Sequence, residues 1–435
     1  MKKQTSAKAG VFSCIACCSA GCYNKIATKE YHMLTLIQCF DPIPLKNIIG
    51  CLRLKPEKLI FLGNEKVMQA SLPRYKAFLK SKGIKTEIRL YDVDTSSTND
   101  ILKTMRSLTK SEKECIIDIT GGKDSFILAA GILMGEQNIR IQKFDSKSGL
   151  TIDLDRDGNT ISGETAKLSA EELIRLMGGI IHPEFEEPSK SYPIEKIEPL
   201  WRFVAKDPRA WNRNVSVLYE FERRSASKKE IILSKKALSE SISGYKEKEK
   251  TFVKLIEGLR ESGVTNDMSE KGLFHYRYTD SVLQEAVKKA GNILEMKTLF
   301  EARLIKKDGK AYFNDCQMSV TIDWDGIIQD QENYTPETRN EIDVLLMRGV
   351  TPLFISCKNG SIGEEELYKL NTVALRFGSP LAKKMLIATD LEDRNSMSGK
   401  AFIQRARDMG IYVVPNAAEL SRREWAEELQ KAMEN

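Results

Sequence analysis

A β-hairpin is predicted by the stretch Arg339-Asn-Glu-Ile-Asp-Val-Leu-Leu-Met-Arg-Gly-Val-Thr-Pro-Leu-Phe-Ile-Ser-Cys-Lys358. An apolar run stands on each side of Arg348-Gly349, which is typical of two strands joined by a tight turn. Because such a turn makes the strands antiparallel, Asp343 and Lys358 are expected at the same end of the hairpin.

A carboxylate that holds a divalent cation, beside a lysine, is suited to hydrolysis of a phosphodiester. Asp343 could hold a divalent cation, which neutralises the phosphate and generates hydroxide. Lys358 could orient or deprotonate water and stabilise developing negative charge. A buried hairpin with charged ends is the competing structural interpretation, and the context in the rest of the chain decides between the two.

The pattern Asp343…Ser356-x-Lys358 resembles the half-motif of the PD-(D/E)XK nuclease superfamily, in which an Asp and a Glu-x-Lys flank a hairpin. Upstream, Glu295 lies in a helical stretch and matches the helix glutamate that often completes such sites. The resemblance implies that Asp343, Glu295 and the main-chain carbonyl of Cys357 hold Mn²⁺ or Mg²⁺. It also implies that the catalytic group consists of Asp343, Lys358, Ser356 and Glu295.

Ser356 departs from the superfamily pattern, because a second acidic ligand usually stands at this position. Serine is a poor ligand for hard cations, which favour carboxylate and water oxygens. In one alternative, Glu364 or Glu365 reaches back from the following helix to complete the metal site. Loss of catalysis is another alternative, but the aspartate, the lysine and the helix glutamate survive together, which favours activity.

Composition limits the classes of protein to which the chain can belong. The 435 residues suffice for two or three domains, and a net charge of +6 excludes a polycation. No apolar run approaches the roughly 20 residues of a membrane-spanning helix, so no membrane partner is expected. The three histidines are too few and too scattered for a histidine-based zinc site, so a metal would be held by oxygen: His32, His182 and His275.

The nine cysteines divide into a cluster and a dispersed set. Five are spread through the chain, which predicts a reducing, cytoplasmic location. The other four crowd into residues 14–22, where their spacing lacks a second pair at a usual metal-binding distance. We interpret residues 1–32 as a disordered N-terminal extension that precedes the fold.

From residue 33 the chain alternates between strands and helices. Apolar runs at 34–40, 59–62, 86–91 and 115–120 are each followed by a helical pattern. This alternation predicts a parallel sheet in a doubly wound, Rossmann-like α/β domain over 33–165. Such sheets bind ligands at the carboxyl ends of their strands, so the loops at Asp41 and at 120–123 are candidate ligand loops.

Thr120-Gly-Gly-Lys123 is suited to a phosphate. Glycines let the backbone approach closely, the following helix offers free amides, and Lys123 adds a charge. The loop is no Walker A motif, and a packing requirement is the competing interpretation. Its placement resembles the Thr-Gly-Gly loop of CARF domains, which sense cyclic oligoadenylates. The resemblance implies activator contacts from five residues: Asp41, Thr120, Gly121, Gly122 and Lys123.

The order of the segments resembles one family of CRISPR ancillary nucleases. Its members join a CARF sensor, here 33–165, through a mostly helical region, here 166–270, to a nuclease domain of the α/β/α restriction-endonuclease type, here 271–435. The resemblance implies a homodimer that binds cyclic tetra-adenylate and cuts single-stranded RNA or DNA. Two alternatives stay open: a regulator that senses cyclic oligoadenylate with a degenerate nuclease domain, and an α/β enzyme acting on a nucleotide.

Further motifs are given structural interpretations. Residues 153–164 satisfy an EF-hand calcium pattern, but the segment before them alternates like a strand, which favours a hairpin turn at 157–159. Phe274-His-Tyr-Arg-Tyr278 alternates as an edge strand does, with its aromatic side chains on one face. It could flank a nucleic-acid groove, but a packed strand is the preferred interpretation. Core positions at helix crossings are expected for three aromatic residues: Trp201, Trp211 and Tyr219.

Overall fold

The computed structural model describes residues 34–182, 194–227, 230–267, 271–288, 290–326, 339–360, 362–378, 380–391 and 394–435. The N-terminal extension and its cysteine cluster lie outside these residues. Within the described ranges, no helix combines the length and apolar character needed to cross a bilayer.

Residues 34–164 form the first sheet and its helices. Five neighbouring strands are parallel, in the order β3-β2-β1-β4-β5, and antiparallel β6 and β7 extend the edge. The predicted strand–helix alternation is therefore confirmed. The elements are β1 Leu34–Cys39, α1 Ile49–Leu54, β2 Lys58–Gly63, α2 Glu65–Ser81, β3 Glu87–Asp92, α3 Thr98–Ser111, β4 Glu114–Asp118, α4 Asp124–Glu136, β5 Arg140–Asp145, β6 Leu150–Leu154 and β7 Thr160–Glu164.

The segment with the EF-hand pattern is a hairpin, as predicted. It joins β6 to β7, and the amide of Asp155 donates to the carbonyl of Asn159 across the turn. The first acidic residue of the pattern, Asp153, is buried and accepts two hydrogen bonds from Arg53, at 2.6 and 2.7 Å. Helices, which an EF-hand requires on both sides of its loop, are replaced here by strands.

Helices and a small sheet form the middle of the chain. The small sheet has the order β10-β11-β9. Residues 274–278 thus lie in its central strand, so the prediction of a packed strand is confirmed and its edge-like character was wrong. The elements are α5 Ala170–Leu176, β8 Ile180–Ile181, α6 Glu198–Lys206, α7 Pro208–Glu222, β9 Ile231–Ser234, α8 Lys235–Ser241, α9 Tyr245–Glu261, β10 Thr265–Asp267 and β11 Leu273–Tyr278.

The aromatic residues of this region divide between core and surface. Trp201 and Trp211 are buried, as are Phe274, Tyr276 and Tyr278. Tyr219 is 52% exposed, so its prediction as a core residue was wrong. Its helix, α7, directs Trp211, Val215 and Leu218 inward, and the next residue along falls on the outer face.

A buried carboxyl lies beneath the small sheet. Tyr276 and Tyr278 both donate their hydroxyls to Glu222, the former at 2.6 Å. Burial raises the pKa of Glu222, and the two hydroxyls only partly oppose this effect. The folded state therefore favours the protonated carboxyl.

This pKa predicts a stability loss with rising pH. Because the folded pKa of Glu222 is raised, the free energy of unfolding should fall as pH rises from its ordinary pKa of 4.5 toward the folded value. Glu222→Gln should remove this part of the slope. Urea unfolding of both proteins between about pH 5 and pH 8 measures it, and parallel slopes would contradict the prediction.

The second sheet occupies the C-terminal part of the chain, in the order β18-β17-β16-β15-β14-β8. Strands β16, β17 and β18 are parallel, and the remaining pairs are antiparallel. The elements are α10 Ser281–Val287, α11 Asn292–Leu304, β12 Lys306–Lys307, β13 Lys310–Ala311, β14 Asp315–Asp323, β15 Arg339–Arg348, β16 Thr351–Gly360, α12 Glu365–Gly378, β17 Lys383–Leu391, α13 Met397–Asp408, β18 Ile411–Val414 and α14 Arg422–Glu434.

The predicted hairpin is formed by β15 and β16, which pair from Arg348↔Thr351 to Val344↔Ile355. Gly349 begins the two-residue turn with φ +64°, a conformation that glycine adopts without strain. The turn is tied to the segment that leaves the first sheet, because the amide of Leu168 donates to the Gly349 carbonyl at 3.0 Å. Asn314 bonds to both of them, accepting from the Gly349 amide and donating to the Leu168 carbonyl.

One hydrophobic core runs between the two sheets. It includes Leu36 and Tyr75 of the first sheet's layers, Leu173 of α5, and Phe354 and Phe377 of the second. Strand β8, which follows α5, pairs with β14 of the second sheet. The predicted boundaries at 165/166 and 270/271 remain predictions.

Candidate functional site

Asp343 and Lys358 meet at the open end of the hairpin, as the sequence predicted. The register places Asp343 opposite Ser356. One oxygen of Asp343, Oδ2, accepts from the Cys357 amide at 2.6 Å, from Lys358 Nζ at 3.2 Å and from Ser356 Oγ at 3.3 Å. The carboxylate is thus held firmly by the opposite strand.

The strands are irregular where Asp343 lies. Met318 and Val344 pack in the core that contains α11, whereas Val320 and Ile342, two residues away on the same strands, pack in the core that contains α12. Regular strands would point such pairs to one face. Ser319, opposite Asp343, has φ +51°, which is a strained conformation for a residue with a Cβ.

Asp343 interacts with charged groups on both faces of the sheet. On the α12 face, Lys358 Nζ also contacts Glu366 Oε2 at 3.2 Å, and Lys369 contacts the other oxygen of Glu366 at 2.6 Å. Burial alone would lower the pKa of Lys358, but the charges of Asp343 and Glu366 outweigh it and leave the pKa above its ordinary value. Lys358 is therefore an ammonium at neutral pH.

Glu295 approaches on the other face, from the first turn of α11. Ser319 Oγ donates to its Oε2 at 3.3 Å. Burial, with the charges of Asp343 and Glu341 adding to it, raises the pKa of Glu295 to about 8. A carboxyl that burial and two neighbouring carboxylates keep protonated is one that a nearby cation would ionise.

Glu364 and Glu365, predicted as possible extra ligands, are exposed, and Glu364 is paired with Arg405. The structure brings Glu366 to Lys358 instead. Helical spacing explains the difference, because Glu366 lies four residues before buried Leu370 and shares its inward face. This apolar spacing was the signal that could have identified Glu366 from the sequence.

The side-chain atoms around Asp343 that could bind a metal ion are oxygens. Burial, followed by the charges of Asp343 and Glu295, raises the pKa of the Cys357 thiol well above its ordinary value, so it is no thiolate ligand. Among the described residues, no three His, Cys, Asp or Glu side chains converge closely enough to enclose a metal ion. Asp343 and Glu295 are carboxylates, the type of ligand that a hard cation such as Mg²⁺ or Mn²⁺ prefers.

A cleft of about 290 Å³ opens on the α12 face of the hairpin. Both charges of the predicted pair line it, with Ser356 and Glu366 beside them. Apolar side chains of α12, Leu370 and Val373, form part of its wall. The cleft therefore offers a positive and a negative group side by side at a solvent-accessible position.

The five predicted activator residues also come together, at the carboxyl edge of the first sheet. Asp41 Oδ2 accepts from the Gly122 amide at 3.1 Å and from Lys46 Nζ at 3.2 Å. Thr120 Oγ1 accepts from the Phe144 amide at 2.9 Å. Asp41 is buried, so its carboxylate organises the loop from within.

Gly122 is required by the geometry of this loop. Its φ is +98°, and a Cβ at this position would lie 2.6 Å from the Cβ of Cys39. Lys123 follows as the exposed N-cap residue of α4, with no side-chain capping hydrogen bond. The loop thus presents a lysine and the first amides of a 13-residue helix to an approaching anion.

No protein-family model and no curated protein matches the sequence. Solved structures do share its fold. Protein VC1899 from Vibrio cholerae superposes with a TM-score of 0.66 at 18% identity, over 92% of this chain and 97% of its own. Can2 from Sulfobacillus thermosulfidooxidans, in complex with cyclic tetra-adenylate, superposes with a TM-score of 0.61 at 16% identity, over 93% of this chain and 98% of its own. The mixed α/β fold is therefore shared over nearly the whole chain.

Proposed function

We propose that the chain is a metal-dependent nuclease of type III CRISPR defence, activated by cyclic tetra-adenylate and cutting single-stranded RNA or DNA. The observation that carries this proposal is the contact of Asp343 with Lys358 at the open end of the β15–β16 hairpin, beside the carboxyl of Glu295. The fold shared with Can2, which binds cyclic tetra-adenylate, supports the choice of activator.

Asp343 and Glu295 would hold Mg²⁺ or Mn²⁺, with the Cys357 carbonyl as a further oxygen donor. When bound, the ion would neutralise the phosphate and lower the pKa of water. Glu341 adds negative charge next to Glu295, which favours retention of a cation. Ser356 leaves Asp343 without an acidic neighbour at its own register position, and Glu295 supplies the second carboxylate from α11.

Lys358 would act as a cation at the phosphate. Its pKa is raised, so it is unsuited to removing a proton from water at neutral pH. Placed beside the scissile phosphate, the ammonium would stabilise charge that develops on the phosphate oxygens. Glu366 positions the ammonium by holding it from α12 at 3.2 Å.

The activator would bind at the carboxyl edge of the first sheet. Lys123 and the first amides of α4 would contact a phosphate, and Thr120 to Gly122 would allow its close approach. Asp41 would hold that loop in shape through the Gly122 amide.

The homodimer would form through α4, which follows the activator loop directly. The helix is apolar on nearly all sides, and three of its large apolar side chains are exposed: Ile127, Leu128 and Ile132, the second by 57%. The space around Gly131 and Gly135 is open, so a second helix could approach closely. A twofold axis here would bring two activator loops near each other.

The exposed apolar side chains of α4 predict that a charged residue among them would prevent dimerisation. Leu128→Glu should shift the mass in solution from about twice 49.2 kDa to 49.2 kDa, because two buried glutamates would repel each other at the axis. Light scattering after size-exclusion chromatography measures it. Val67→Glu, at an equally exposed apolar position on α2, serves as the control and should stay dimeric. A dimeric Leu128→Glu would contradict the α4 interface.

Cleavage of labelled single-stranded RNA and DNA with Mn²⁺, with and without cyclic tetra-adenylate, tests the proposal. Cutting that depends on both the ion and the activator is the expected result. Activator binding without cutting would instead support a regulator with a degenerate nuclease domain, an alternative that Ser356 favours. If neither binding nor cutting occurs, the proposal is wrong.

A further inference from the structure

A second cleft, of about 730 Å³, lies where the two sheets approach each other. Its walls come from the β5–β6 turn at 146–149, the hairpin turn at 348–351, the start of β17 and the end of α14. The β5–β6 turn follows β5 at the same carboxyl edge that carries the 120–123 loop, since β4 and β5 are parallel. The cleft therefore joins the edge of one sheet to the hairpin of the other.

Four cationic side chains line this cleft: Lys147, Lys307, Arg348 and Lys383. Among the residues that the structure describes, none of the four forms an ion pair, although many other cations of the chain do, as Arg53 does with Asp153. Arg348 is positioned by Tyr312, whose hydroxyl accepts from it at 2.7 Å and whose ring lies 4.4 Å beneath it.

The remaining lining is suited to an anion. Hydroxyl groups of Ser146, Ser148, Thr165 and Thr351 stand among the cations, and Glu434 is the single carboxylate side chain in the lining. Cations that converge without carboxylate partners repel one another, so the arrangement favours a ligand that carries several negative charges. Hydroxyls and cations together are the groups that contact nucleic-acid phosphates.

We propose that this cleft binds the phosphodiester backbone of a nucleic-acid ligand. Two sources fit the chemistry. A single strand cut at Asp343 would reach the cleft after about 17 Å, the rise of five residue steps along β15 from Asp343 to Arg348. A cyclic oligoadenylate on the 120–123 loop would reach it from the adjoining β5–β6 turn. Both sources rest on the proposed function, whereas the anion site itself does not.

Charge reversal of Lys307 and Lys383 together is the test. Binding of labelled single-stranded RNA, single-stranded DNA and cyclic tetra-adenylate is measured by fluorescence anisotropy without divalent ions, so that catalysis plays no part. We expect affinity for one ligand class to fall at least about tenfold. For a strand, the slope of log K against log salt should also fall by about 1.4, the loss of two phosphate contacts.

The control is the double variant Lys66→Glu and Lys254→Glu, which makes the same charge change at exposed positions on α2 and α9. Weaker strand binding with unchanged binding of cyclic tetra-adenylate assigns the cleft to the strand, and the reverse assigns it to the activator. Equal losses in the cleft variant and the control, or no loss in either, would overturn the proposal. Failure of cleavage alone would affect only the nuclease assignment, because binding is read separately.

Discussion

Asp343→Asn is expected to lower nucleic-acid cleavage by a factor of about 100 or more. The asparagine retains an oxygen that can accept from the Cys357 amide, so the hairpin should keep its register. What is lost is the negative charge that would hold the cation and pair with Lys358. Cleavage rates under saturating Mn²⁺ and activator measure the effect.

The control for this variant is Asp408→Asn, the same substitution at an exposed carboxylate on α13, where cleavage should be unchanged. Lys358→Met is expected to reduce cleavage to a similar degree without abolishing metal binding, because it removes the ammonium and leaves Asp343 in place. If Asp343→Asn cuts at the wild-type rate, the hairpin is not the site of cleavage. Circular dichroism of each variant separates lost chemistry from lost fold.

Glu301→Leu is expected to cost about 3 kcal/mol of unfolding free energy. Glu301 is 1% exposed and binds the ammonium of Lys297, also buried, at 2.7 Å. Removing this carboxylate leaves a buried cation whose other acidic partner, Glu198 at 2.5 Å, lies nearer the surface. Urea unfolding measures the loss, and the same helix, α11, carries Glu295, so cleavage should fall as well.

The double variant Lys297→Met and Glu301→Leu should recover most of this stability, because replacing both charges by apolar side chains removes their desolvation cost. Arg423→Ala, which breaks an exposed pair on α14, is the control and should leave the free energy of unfolding nearly unchanged, because solvent screens exposed charges. If the double variant is no more stable than Glu301→Leu alone, the ion pair is not what stabilises this position.

Local patterns predicted the two sheets and half of the candidate site. The strand–helix alternation of 34–136 and the apolar runs around Gly349 depend on neighbours in sequence, and both were confirmed. The approach of Lys358 to Asp343 follows from hairpin pairing, which is also local. These features follow from local sequence patterns and do not require knowledge of contacts between distant segments.

The rest depends on contacts between distant segments. The positive φ of Ser319 lies within the pairing of β14 with β15, and the sequence discloses neither. The choice of Glu366 among three consecutive glutamates depends on which face of α12 packs on the sheet. The alternation of residues 274–278 does not disclose that β9 and β10 pair on both sides of this strand, because these partners are only four and three residues long.

The continuous core between the two sheets limits how this chain can be recombined with others. A crossover at residue 165 would separate Leu36 and Tyr75 from the α5 side chains that pack in the same core. An exchange of ligand specificity between homologues must therefore transfer residues 34–181 as one piece. Within that piece, α5 is the part that has to match the recipient's hairpin.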